Sequence, residues 1–217
     1  MSLTQKLQRE RAIMPNRIRL QKARLSVSAA LLGATALTTL PSASVAEIVY
    51  GEMVDLTLTF GVEWVRGYSE AFTTSADGSV VVGTAYHGVD GEYRAFRWTD
   101  ELGMVNIHAS WATGPGWAYS VSADGSVVVG NANDGVISRA FRWTDDLGMV
   151  DLHASWATGE GIAYSVSADG SVVVGTAYHG VDEKYRAFRW TSDLGMVNLQ
   201  VDSDWATGHG WANSVSA

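Results

Sequence analysis

Three aspartates, Asp77, Asp124 and Asp169, occupy the same place in three copies of one stretch, Ala-Asp-Gly-Ser-Val-Val-Val-Gly. A ring of carboxylates at equivalent positions could bind calcium or a saccharide. Each is followed by a glycine (Gly78, Gly125, Gly170), and Asp-Gly is also what a tight hairpin turn requires. The stretch lacks the dense oxygen spacing of a calcium loop. We therefore read the six residues as structural turns. The histidines fall in repeat-equivalent places, His87 with His179 and His108 with His153, leaving His209 alone. None has a histidine four residues away or a glutamate suited to zinc. Asp100-Glu101 and Asp145-Asp146 sit side by side, whereas glycoside hydrolysis needs two carboxyl groups facing each other across a substrate. Ser120, Ser165 and Ser214 have no Gly-x-Ser-x-Gly setting. Trp111, Trp156 and Trp205 precede Ala-Thr-Gly and are candidates for stacking on a ligand, with packing between repeats as the competing role. An enzyme would need unique polar residues that break the repeat. Only Glu63, Trp64, Arg66 and Glu70 in the first copy do so. No catalytic, cofactor or metal site is expected.

The elements that carry these residues are set by the repeat itself. Copies of the valine stretch start at Ala76, Ala123 and Ala168, spacings of 47 and 45 residues. Three other markers recur in fixed order: Met-Val-(Asp/Asn)-(Leu/Ile), Trp-Ala-Thr-Gly, and Arg-Ala-Phe-Arg-Trp-Thr. Units run over 53–103, 104–148 and 149–195, with a truncated fourth at 196–217. Each reads as four short strands. In the second these are Tyr119–Ser122, Ser126–Val129, Ala140–Trp143 and Met149–Leu152, with a variable loop at Asn131–Ser138. The corresponding loops Thr84–Tyr93 and Thr176–Tyr185 are longer. Val-Val-Val is continuous rather than alternating, so both faces of its strand need cover. Stacked four-stranded antiparallel blades provide it at this period, so the fold expected is an all-β partial β-propeller, with a β-solenoid as the alternative. Three and a half units fall short of the ~4–8 blades of a closed propeller. Open blade edges would favour self-association, unless the early Met53–Leu56 copy pairs with the incomplete last blade. A chain stopping inside its own motif, at Ser216-Ala217, is also what a fragment of a longer protein would show.

Charge is divided unevenly. Residues 1–24 hold seven Lys/Arg and one Glu; the rest holds eight basic and 22 acidic residues, net −14. Such a body repels phosphate backbones and argues against nucleic acid as a partner. The basic stretch leads into a short apolar run, Val27–Leu37, then Pro41 and small residues up to Ala46, the order of a secretory signal peptide cleaved after Ala46. The run is shorter than the ~20 residues of a membrane span, so the membrane is met only during export. The long basic region leaves either Met1 or Met14 as the start. There is no cysteine, so burial and strand pairing must supply all the stability.

Arg-Ala-Phe-Arg-Trp-Thr, followed by Leu-Gly-Met-Val-Asp-Leu and Ser-Val-Ser-Ala-Asp-Gly-Ser-Val-Val-Val-Gly, resembles the HAF-family extracellular repeat of bacteria. That family takes its name from His-Ala-Phe; here Arg94, Arg139 and Arg186 replace the histidine. The resemblance covers nearly all of 53–217. It implies an exported repeat protein of a Gram-negative bacterium, at the outer-membrane surface or beyond, in some cases an autotransporter passenger, and implies no catalytic residues. The function expected is binding, display or adhesion toward a surface glycan or protein. The alternatives are a propeller enzyme acting on extracellular glycans and a remnant of a longer autotransporter.

Overall fold

The computed structural model describes residues 64–200 and 208–216, with the backbone alone at 65–67. The expected leader with its Ala46 cleavage site, Met53–Leu56, Glu63, the Arg66 side chain and Trp205 lie outside the described residues.

Twelve strands are present among the described residues, in three sheets. The first holds β1 (Trp64–Thr74), β2 (Val80–His87), β3 (Glu92–Thr99) and β4 (Gly103–Asn106). The second holds β5 (Gly116–Val121), β6 (Val128–Asn133), β7 (Ser138–Thr144) and β8 (Gly148–Asp151). The third holds β9 (Ala157–Val166), β10 (Val173–His179), β11 (Lys184–Thr191) and β12 (Gly195–Asn198). Each sheet is an antiparallel meander in chain order. These are propeller blades, and the chain is all-β. The Met-Val-(Asp/Asn) segments at Met104, Met149 and Met196, which open the later sequence units, close the preceding sheets as β4, β8 and β12.

The valine stretch is buried on both faces because it lies between two neighbours. Val128 packs toward the first sheet, in a cluster with Val80, Val82, Ala95 and Phe141. Val127 and Val129 turn the other way, toward Ala163, Val166, Val173 and Phe188 of the third sheet. Alternation along a strand sends successive side chains to opposite faces, so a Val-Val-Val run serves two cores at once. The first strands are also linked by aromatic rings, Phe72 to Tyr119 at 5.3 Å and Tyr119 to Tyr164 at 6.4 Å.

The loops expected at Thr84–Tyr93, Asn131–Ser138 and Thr176–Tyr185 are largely strand. Pairing continues through Tyr86↔Tyr93, Asn133↔Ser138 and Tyr178↔Tyr185. Their mixed polar sequence hid the ladder, since backbone pairing needs no apolar alternation where a strand end meets solvent. Conversely, Ser126 and Val127 belong to the turn, and β6 begins at Val128.

Residues 208–216 follow the third sheet as the start of a fourth copy. Val215 N–H donates to Ser165 Oγ at 3.3 Å, repeating the bond from Val166 N–H to Ser120 Oγ one sheet earlier.

Candidate functional site

The three aspartates close their turns and do little else. Asp124 Oδ1 accepts from the Ser122 hydroxyl (2.6 Å), the Ser126 amide (3.0 Å) and the Ser126 hydroxyl (2.8 Å). Ser122 Oγ in turn accepts the Val127 amide at 2.9 Å. Asp77 and Asp169 make the same set. The serine hydroxyl, then the amide two residues on, hold each carboxyl down at about 2, because hydrogen bonds to the anion favour it. The turns also join one another. Ala76 N–H donates to Ala123 O, and Ala123 N–H to Ala168 O, each at 2.9 Å. Gly125 adopts φ +75°, and a Cβ there would fall 2.4 Å from Val80 Cγ2 of the preceding sheet. Glycine is needed both for the turn and for this contact.

The tryptophan candidates are built into the connections between sheets. Trp111 Nε1 donates to Met149 O and Trp156 Nε1 to Met196 O, both at 3.1 Å, and Trp64 Nε1 donates to Met104 O at 3.2 Å. Trp111 and Trp156 are half-buried against the two inter-sheet cores. Their geometry is that of packing residues with a satisfied polar handle.

One open cleft, of about 400 Å³, lies where β3 and β4 meet the connection to β5. Asp90, Arg94, Asn106, His108, Ser110 and Thr113 are among the residues that line it. Arg94 is buried and spends its guanidinium on structure. It binds Asp90 Oδ2 through Nε (2.9 Å) and Nη2 (2.7 Å), and donates to the carbonyls of Ala112 (3.1 Å), Thr113 (3.2 Å) and Gly114. Nη1 also lies 2.9 Å from His108 Nδ1. Because that nitrogen accepts, the neutral ring carries its proton on Nε2. Burial, then the Arg94 charge, push His108 down to about 4. Burial pushes the Asp90 carboxyl up, but the bonds to Arg94 and His87 outweigh it and hold it at about 2.

The same construction recurs. Arg186 pairs with Asp182 and donates to Gly208 O at 3.1 Å. Arg139 pairs with Asp134 (2.7 Å) and lies 3.6 Å from Asp151. In that sheet His153 takes over part of the loop-holding role, its Nε2 donating to Gly159 O at 3.1 Å. The arginine of each Arg-Ala-Phe thus anchors its own hairpin, and in the first and third sheets it also grips the Trp-Ala-Thr-Gly connection that follows. The second arginine of that motif crosses to the next sheet: Arg97 Cζ lies 5.7 Å from the Trp143 ring centre and Arg142 Cζ 5.6 Å from that of Trp190.

Of the sequence candidates, only His108 reaches the cleft. Asp100-Glu101 and Asp145-Asp146 sit on exposed turns, and Glu70 lies on β1. No group of three or more His, Asp or Glu side chains is placed to hold a metal among the described residues. Sequence reasoning passed over the acids Asp90, Asp134 and Asp182. Their signal was an aspartate four or five residues ahead of every Arg-Ala-Phe.

No protein-family model matches the chain, and no curated protein does. Among solved structures it is similar to TolB from Acinetobacter baumannii, at 16% identity and a TM-score of 0.44, over 58% of this chain and 30% of that one. A putative TolB from Agrobacterium tumefaciens matches at 16% identity and a TM-score of 0.45, over 60% and 45%. An oligogalacturonate lyase from Vibrio parahaemolyticus matches at 12% identity and a TM-score of 0.38, over 58% and 37%. The chain spans less than half the length of each of these proteins.

Proposed function

We propose that this chain is an exported repeat protein of the HAF type whose blades serve binding or display at a bacterial surface, without catalysis of their own. The observation that carries this reading is the use of Arg94, Arg139 and Arg186. Arg94 at the cleft and its counterparts in the other two sheets are spent on hairpin carboxylates, and Arg94 and Arg186 also on loop carbonyls. Catalysis needs groups held ready for a reacting atom; these hold blades together. The leader with its small-residue exit at Ala46 supports export, and the repeat-equivalent surfaces suit contact with an extended partner such as a surface glycan or protein.

The test has two arms. Secretion from a Gram-negative host followed by N-terminal mass determination is expected to find Glu47 as the first residue. The secreted product, offered to a glycan array and in parallel to hydrolase and lyase assays on the same glycans, is expected to bind without turnover. Turnover of any array glycan removes the non-catalytic reading. Retention of residues 1–46 on a cytoplasmic product removes the exported one.

A further inference from the structure

Three tyrosines from three strands meet at the hairpin end of the first sheet. Tyr93 of β3 lies 6.0 Å from Tyr68 of β1 and 5.5 Å from Tyr86 of β2, ring centre to ring centre. Both pairs are near-perpendicular, at 80° and 76°. The Tyr68 hydroxyl donates to Glu70 Oε2 at 2.6 Å. Tyr68 is 58% exposed, and Glu70 is exposed too. The third sheet repeats the composition from different positions. Tyr178 and Tyr185 meet at 5.5 Å and 74°, the Tyr185 hydroxyl donates to Glu160 Oε2 at 2.9 Å, and the His209 ring lies 5.9 Å from Tyr185. In the second sheet the corresponding cross-strand pair is Asn133 and Ser138. That sheet pairs its strands without any tyrosine there, so the fold does not demand the cluster.

Tyr86 and Tyr93 are half-buried, so Tyr68 is the exposed ring of the cluster, and an exposed aromatic on a polar rim suits a contact surface. Here the chemistry narrows the ligand. Rings set at right angles present π faces in two directions, and the negative face of an aromatic ring attracts a cation. The phenol proton of Tyr68 is engaged by Glu70, so the Tyr68 edge of the patch offers acceptors, carboxylate oxygens and phenol lone pairs, while the Tyr86 and Tyr93 hydroxyls can donate or accept. Arg94, next to Tyr93, is paired with Asp90, and Arg66, two residues before Tyr68, has its side chain outside the described residues. The body carries a net −14. An anion is repelled, and a neutral sugar gains nothing from that field. A cationic group meets ring faces, a carboxylate and a field of the right sign.

We propose that Tyr68, Tyr86 and Tyr93 with Glu70 form a binding site for an organic ammonium group, quaternary ammonium above all. Tyr178, Tyr185 and Glu160 form a second, weaker copy, because Lys184 stands beside Tyr185 where Glu92 stands beside Tyr93. The proposal rests on reading the chain as a binding module and names the chemical class it takes.

The experiment titrates the full chain with choline, following tyrosine ring signals by NMR, alongside dimethylbutanol, the uncharged isostere of choline, and cellohexaose, a neutral saccharide. Choline is expected to bind saturably and more weakly at high salt. Tyr68→Ala should weaken the tighter site roughly tenfold, and Glu70→Gln roughly threefold. Tyr68→Phe keeps the ring and should retain most of the affinity. Equal binding of dimethylbutanol overturns the proposal, as does an unchanged affinity in Tyr68→Ala or the absence of any choline response. Cellohexaose moving the same signals while choline does not would replace it with a saccharide site. Choline binding together with glycan turnover leaves the site standing and removes the non-catalytic reading; array binding without a choline response does the reverse.

Discussion

Ser122 carries more of each turn than the aspartate it supports. It is fully buried, donates to Asp124 and accepts the Val127 amide. Ser122→Ala strands that amide in the interior and should cost about 1–3 kcal/mol, read as a lower denaturant midpoint. His108 and the hydrogen-bonded carboxyls, the turn aspartates and Asp90 among them, contribute to the acid limb of stability. His108 is held neutral, its value lowered from 6.5 to about 4. Between those values the unfolded chain takes a proton that the folded chain refuses, so stability falls as pH drops from about 6.5 to about 4, by roughly 1–3 kcal/mol. The turn carboxyls, lowered from 3.8 to about 2, favour the fold above their ordinary value. That contribution is lost as pH falls from about 4 to about 2. Unfolding curves at pH 7 and pH 5 should therefore differ in wild type and converge in His108→Gln; an equal difference in both would exclude His108 as the cause.

A glycine sits in the second strand of every sheet at Gly83, Gly130 and Gly175, beside a register shift in the first strand. A Cβ on Gly130 would fall 1.9 Å from Trp117 O. The neighbour there is backbone, so no rotamer change can relieve the clash. Gly130→Ala is expected to destabilise by roughly 3 kcal/mol or more, whereas Gly148→Ala, at the first residue of β8 with open space around it, should cost less despite its φ of +65°. Equal losses in thermal melts would mean that strain at positive φ, not the close approach, dominates these sheets.

Across the molecule, the devices that join the sheets include shared valine cores, the amide ladder through Ala76, Ala123 and Ala168, and arginines reaching to the next sheet's tryptophan. The last is the most easily isolated. A double-mutant cycle on Arg142→Ala and Trp190→Ala should return a coupling of about 1 kcal/mol, with choline affinity unchanged because neither residue touches the tyrosine cluster. A coupling near zero would assign Arg142 to packing of its aliphatic stem alone. In the next sheet Arg142 meets the Trp190 ring.

What could be read in the residues is what closes over short distances. Asp-Gly with its flanking serines builds a turn from bonds spanning two to five residues, and a Val-Val-Val run announces cover on both faces, so strand number, strand order and blade stacking followed from the sequence alone. The variable loops misled, since the ladder through Tyr86 and Tyr93 is made by backbone groups that side-chain pattern does not report. Only tertiary structure decided the partners of Arg94, 14 to 20 residues away, the tie from Trp111 to Met149, 38 residues on, and the meeting of Tyr68 with Tyr93. The tie from Trp111 depends on how one sheet packs against the next, and Tyr68 and Tyr93 meet across β2 within one sheet; both are properties of packed side chains rather than of any local stretch.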